Sequence, residues 1–252
     1  MGKLIKYEWR KQRTTRILIL ACLVAFILLF AAGMLIKRDT VVAVSILIIT
    51  FAGIFGIFYA GIENLVILNR DLKTKQSYML WMVPHSTYEI LGAKVLAGIL
   101  QMVFIFLAFF ITGVVTVTVT AASEGSLGEL LRGLGRFFEE ATHSNVDWGV
   151  FFGVCLLLLI SWINVMVVGF LAIILTRTVL LNARFGGIIA VVVFFLINFV
   201  IERIYVLLDS LIDMAPLSGM GGIKPFDFVF YLIMTVLAFL LTGWIADEKL
   251  SV

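Results

Sequence analysis

Charge is what this sequence has least of. Of its 252 residues, 19 are Lys or Arg and 16 are Asp or Glu, 14% together, against 62% hydrophobic residues and a mean hydropathy of +1.14. That balance excludes the soluble class and makes lipid the solvent. Cysteine is almost absent. Cys22 and Cys155 both fall inside apolar runs, so neither a disulfide framework nor a metal site is suggested. The net charge of +3 is small and its basic residues are unevenly spread, which reads as a topology signal and not as a nucleic-acid surface. Catalytic signatures are missing as well. There is no G-x-x-x-x-G-K-[ST] phosphate loop, so the chain does not hydrolyse ATP by that route, and HExxH and GxSxG are absent.

What the sequence has in abundance is long apolar runs. Six of them, at about 17–36, 41–62, 95–119, 149–175, 185–201 and 228–246, predict an all-α polytopic membrane protein with six transmembrane helices in a single domain. The first is twenty residues without a polar side chain. It is too long for a signal-peptide core and lacks a small-residue cleavage site, so it reads as a retained helix. In the second, Ala52, Gly56 and Ala60 form a small-residue seam that suits helix packing within the subunit, or else a dimer contact. The third carries Gln101 and the alternation Thr116-Val117-Thr118-Val119-Thr120, which looks like a strand. An open strand edge cannot sit in lipid, so those threonines are expected to bond back to their own helix or to face a cavity. Asn164 lies in the fourth. The fifth, containing Asn198, is short and is followed by Glu202 and Arg203, which suits either a helix broken within the membrane to line a pathway or one that ends at the interface. Gly56, Gln101, Asn164, Asn198 and Glu202 are therefore the candidate pathway or packing residues.

The flanks carry the remaining signals. Residues 3–16 hold six cations and one acid; Ile5 and Trp9 lie one turn apart beside a basic stripe of Lys6, Arg10 and Arg13, which suits a helix on an anionic membrane surface or simply a basic flank. The loop 63–94 is broken at Pro84. Ser86 and Glu89 have capping-box spacing, so a helix starts there and runs through Lys94 into the third span. Its apolar run Tyr78 to Met82, beside three cations, suits docking into a groove on a soluble partner; it also suits a solvated loop with Trp81 and Tyr78 in the interface. The segment 120–148 predicts an amphipathic covering helix, with Ser126 and Glu129 as a second capping box. In 202–227, Asp209 and Asp213 read as a solvated face before a Gly- and Pro-rich loop. Thirteen of the nineteen Lys and Arg fall on the side shared by both termini and the loop 63–94, and the positive-inside rule makes that side cytoplasmic and 120–148 and 202–227 external.

Tyr7-Glu8-Trp9-Arg10-Lys11 at the start, six spans, and Asp71, Lys73, Lys75, Pro84, Ser86, Glu89, Ile90 and Lys94 between spans two and three resemble the membrane subunit of type-2 ABC exporters. The resemblance implies a bacterial plasma-membrane permease that pairs with an ABC ATP-binding subunit and with a second permease, identical or homologous. ATP and Mg would sit on the partner ATPase, with no cofactor on this chain, and lipid, not nucleic acid, would surround it. It further implies that Arg70, Asp71, Leu72, Lys73, Lys75, Tyr78 and Met79 form a coupling helix against the ATPase. Ile5, Lys6, Trp9 and Arg10 would belong to an interfacial helix that touches the same subunit. Apolar spans suit hydrophobic or amphipathic cargo, with bacterial peptides such as bacteriocins or phenol-soluble modulins first. The alternatives are a non-transporting immunity or scaffold protein, or an intramembrane CAAX-type protease, which Glu139, Glu140, His143 and Asp147 loosely resemble.

Overall fold

Where no water can reach the backbone, every N–H and C=O must find a partner within its own segment, and the helix does this locally. In a computed structural model the regular structure among the described residues is entirely α-helical. The structure describes residues 1–73, 86–123, 125–126, 128–129, 131–133, 148–179, 186–212 and 224–250. The helices are α1 (Gly2–Lys11), α2 (Arg13–Leu35), α3 (Asp39–Lys73), α4 (Thr87–Ser123), α5 (Trp148–Val179), α6 (Gly186–Ile212) and α7 (Pro225–Leu250). Six of them, α2 to α7, are long and apolar enough to cross a membrane, as the apolar runs predict.

The helices exceed the apolar runs. The expected leading helix 3–16 is instead two helices that break at Gln12, with Arg13 already opening α2. The second span's helix does not end with its apolar run at 62 but continues eleven residues, through Glu63 and Asn64, to Lys73. The fifth is not a short or broken helix: α6 runs without interruption through Glu202 and Arg203 to Ile212. The physical reason is common to all three. Hydropathy reports where the solvent changes, whereas Glu, Lys and Arg are themselves good helix formers and do not stop a backbone.

Two helices stop by the same device. At the end of α2, Arg38 N–H bonds to Gly33 C=O and Lys37 N–H to Met34 C=O, both at 3.1 Å, with Lys37 at φ +52°. At the end of α4, Ser126 N–H bonds to Ala121 C=O at 2.9 Å and Gly125, at φ +69°, to Ala122 C=O. Both are Schellman caps, one with the usual glycine and one with a lysine that tolerates the left-handed backbone. The second capping box does not form. Ser126 Oγ donates back to Ala121 C=O instead of accepting from Glu129.

The chain divides into two compact units. One comprises Met1–Glu8, Gly61–Ile99 and Trp148–Val252, the other Trp9–Ala60 and Leu100–Asp147. In the first, α5 packs against both α6 and α7 and supplies more of the core than any other helix, with Val168, Phe170, Ala172 and Ile174 all essentially unexposed. In the second, the small-residue seam serves packing inside the chain. A Cβ on Gly56 would stand 3.1 Å from the Phe109 ring, so the absent side chain lets α3 accept that aromatic from α4. The threonines of α4 do both things expected of them. Thr112, Thr116, Thr118 and Thr120 each donate to the carbonyl four residues earlier, and Thr116 and Thr120 also line a cavity of about 440 Å³.

Candidate functional site

The first turns of α4 bury one stripe at helical spacing, Thr87, Leu91, Lys94 and Ala97. Ser86 sets its start, since its Oγ accepts the Glu89 N–H at 3.3 Å as the capping spacing predicts. Lys94 thereby falls where an apolar residue would be expected, with no exposed surface at all. Its Nζ donates to Glu8 Oε2 at 3.0 Å and to Asp71 Oδ2 at 2.5 Å. Glu8 comes from α1 and Asp71 from the last turn of α3, so one ammonium joins three helices. Burying that ammonium alone costs several kcal/mol, and two carboxylates in hydrogen-bonding geometry offset the loss of water.

More polar bonds fasten the same region. Asn64 Nδ2 donates to Lys94 C=O at 2.9 Å and contacts Met166 Sδ at 3.1 Å. Arg177 of α5 donates to Asn69 Oδ1 at 2.8 Å, Thr87 donates to Asp247 of α7, and Tyr88 reaches Leu240 C=O at 3.4 Å. The two helix ends that border residues 74–85 are thus tied to α1, α5 and α7.

A separate polar knot lies in the other unit. Arg16, 9% exposed, donates from Nη1 to Gln101 Oε1 at 3.0 Å and from Nη2 to Trp9 C=O at 2.7 Å, and its guanidinium carbon sits 4.0 Å from the centroid of the Trp9 ring. Trp9 in turn meets Phe104 edge-on. Gln101 is completely buried. Gln101→Leu withdraws an acceptor from a buried cation and is expected to cost about 1–3 kcal/mol, read as a lowered unfolding midpoint in detergent; Gln101→Glu, which keeps the acceptor, should cost less.

No family model, characterised protein or solved structure matches the chain. The site is therefore read from its residues alone.

Of the expected coupling residues, Arg70 is exposed, Asp71 is buried in the Lys94 junction, and Leu72 packs against the core around Leu68 and Phe170. Lys73 ends α3, and Lys75, Tyr78 and Met79 lie outside the described residues, as do Pro84, His85 and the Glu139, Glu140, His143 and Asp147 set. In the leading helix, Lys6 and Arg10 are exposed while Ile5 and Trp9 are half-buried. Asn164 donates to Thr235 Oγ1 at 3.0 Å and so ties α5 to α7. Asn198 bonds the Phe194 carbonyl of its own helix at 2.8 Å, and Glu202 is exposed on α6. Asp209 pairs with Lys224 at 2.6 Å. Glu8 was the informative residue in the leading segment. It is the one acid among six cations, and the basic stripe around it hid its role.

Proposed function

We propose that the chain is the permease subunit of an ATP-driven exporter of the type-2 ABC kind, multi-pass in a bacterial plasma membrane with both termini cytoplasmic. It works with a separate ATP-binding subunit, which holds ATP and Mg, and with a second permease, and it moves hydrophobic or amphipathic cargo, peptides first. The observation that supports the reading is the buried Glu8–Lys94–Asp71 junction. It sits at the base of the segment that the resemblance assigns to the ATPase. A push on that segment from a closing ATPase pair meets a base fastened to α1, α5 and α7, and is passed to those helices instead of being absorbed locally. Transmission of this kind requires that the two nucleotide states differ in contact free energy with the segment.

The test is co-purification with the ATPase encoded beside the chain, followed by ATP turnover with and without substitution of the segment. Leu72 packs inward, so the informative variant is the pair Tyr78→Ala with Met79→Ala, the two apolar residues that the resemblance assigns to the ATPase contact. A stable complex is expected whose cargo-dependent turnover falls by about tenfold, as when central aromatic contacts are lost from an interface. Failure to associate with any ATPase would overturn the reading and favour the immunity or scaffold alternative.

A further inference from the structure

The first unit carries an apolar groove of about 400 Å³ whose one polar lining residue is Asn69. It is bounded by Ile62 and Val66 of α3, by Gly169 and Ile173 of α5, and by Val191 and Phe195 of α6. Four of these, Ile62, Val66, Val191 and Phe195, expose more than half of their surface, so the groove is open on its outer side. Gly169, Ile173 and Arg177 follow one another at four-residue spacing on α5, each about 6 Å further along the axis. Arg177 is thus the next step along the groove wall. It is half-buried, donates to Asn69 Oδ1 at 2.8 Å, and lies against the start of α6, where a Cβ on Gly186 would stand 3.7 Å from its guanidinium carbon.

Among the described residues Arg177 has no carboxylate partner. Its one hydrogen bond among the described residues goes to a neutral amide and uses one of the five N–H donors of the guanidinium. A guanidinium bonded to the one polar residue that lines an apolar groove, in a protein whose surroundings are lipid, matches one ligand chemistry: a phosphate diester carrying hydrocarbon chains. Guanidinium binds phosphate oxygens in a bidentate fork, and basic pockets between membrane helices suit anionic headgroups.

We propose that this groove is a specific site for an anionic glycerophospholipid, with its phosphate on Arg177 and one acyl chain laid between α3, α5 and α6 along Val66, Ile173 and Val191. Gly187 also lines the groove, and a Cβ there meets nothing within 4 Å, so a larger side chain at this position has room to enter.

The experiment is a lipid titration of the full chain in detergent, read by native mass spectrometry, with phosphatidylglycerol and phosphatidylcholine of identical acyl chains. Phosphatidylglycerol is expected to bind about fivefold more tightly, the preference that one cation confers on an anionic lipid. Arg177→Gln, which removes the charge and keeps an N–H donor, should erase the preference, and Arg177→Lys should retain part of it. Gly187→Leu should weaken both lipids by filling the groove. The proposal is overturned if the wild type does not discriminate, if Arg177→Gln keeps the preference, or if Gly187→Leu leaves both affinities intact. A dimer mass that Gly187→Leu abolishes while lipid binding persists would also overturn it, since the occupant would then be a second copy. Should Arg177→Gln fail to accumulate, Arg177→Lys and Gly187→Leu still decide the matter.

Discussion

Replacing Lys94 with methionine is expected to destabilise the chain by about 3–5 kcal/mol, the cost of stranding a buried ionic partner. Glu8 and Asp71 would each lose the ammonium that now stands 3.0 and 2.5 Å away, in a place where Lys94 has no exposure and the carboxylates almost none. Methionine fills much of the lysine's volume, so the loss reports charge and not a cavity. Adding Glu8→Gln and Asp71→Asn to the same variant should restore most of the stability, because a buried ion pair is a weak source of net stability once all its members are removed together. Unfolding in detergent measures both. A single variant within about 0.5 kcal/mol of the wild type would remove the junction from the fold's energetics. If the neutral triple variant is stable yet no longer couples ATP turnover to cargo, the junction transmits force; if it couples normally, the junction serves folding alone.

Gly98→Ala is expected to be nearly as damaging for a change of one methyl group. On a helix, position 98 stands one turn above position 94, and Asn64 uses the vacant space over Gly98 to reach the Lys94 carbonyl at 2.9 Å. A Cβ there would overlap the Asn64 amide and would lie 2.8 Å from the Met166 methyl carbon. Displacing an asparagine that is 1% exposed forfeits its buried hydrogen bond, about 1–3 kcal/mol, and crowding adds about 1–3 kcal/mol more. The unfolding midpoint should fall accordingly. Asn64→Ala placed on top of Gly98→Ala should return the crowding part and leave the hydrogen-bond part lost. If Gly98→Ala alone is neutral, the close approach of α3 to α4 at this point is not as drawn.

The six spans were legible because a twenty-residue apolar run has few alternatives in lipid, and the start of α4 was legible because Ser86 and Glu89 cap it by local geometry. The reach of α3 to Lys73 and of α6 to Ile212 was not. Both cross the point where hydropathy changes, and a helix rich in Glu, Asn and Arg carries on past it. The Lys94 junction was beyond sequence reading for a different reason. Its members are 86 and 23 residues apart, and in the sequence each looks like an ordinary flanking charge. Lys94 is one of the thirteen basic residues on the side that the positive-inside rule makes cytoplasmic, yet its side chain is fully buried. Asn198, a candidate pathway or packing residue by its place within a span, bonds among the described residues to the Phe194 carbonyl of its own helix.

Neighbouring helices of the first unit will tolerate change very differently. In its most apolar stretch α5 is 56% buried, whereas α6 is 6% buried. Lipid accepts any greasy outline, so mutation along the face of α6 that meets neither the groove nor α5 can exchange Leu, Ile, Val and Phe with little consequence, and that face can drift until only its hydrophobicity is inherited. On α5 each exchange must also fit the neighbours that surround it, so the lineage should preserve its shape residue by residue.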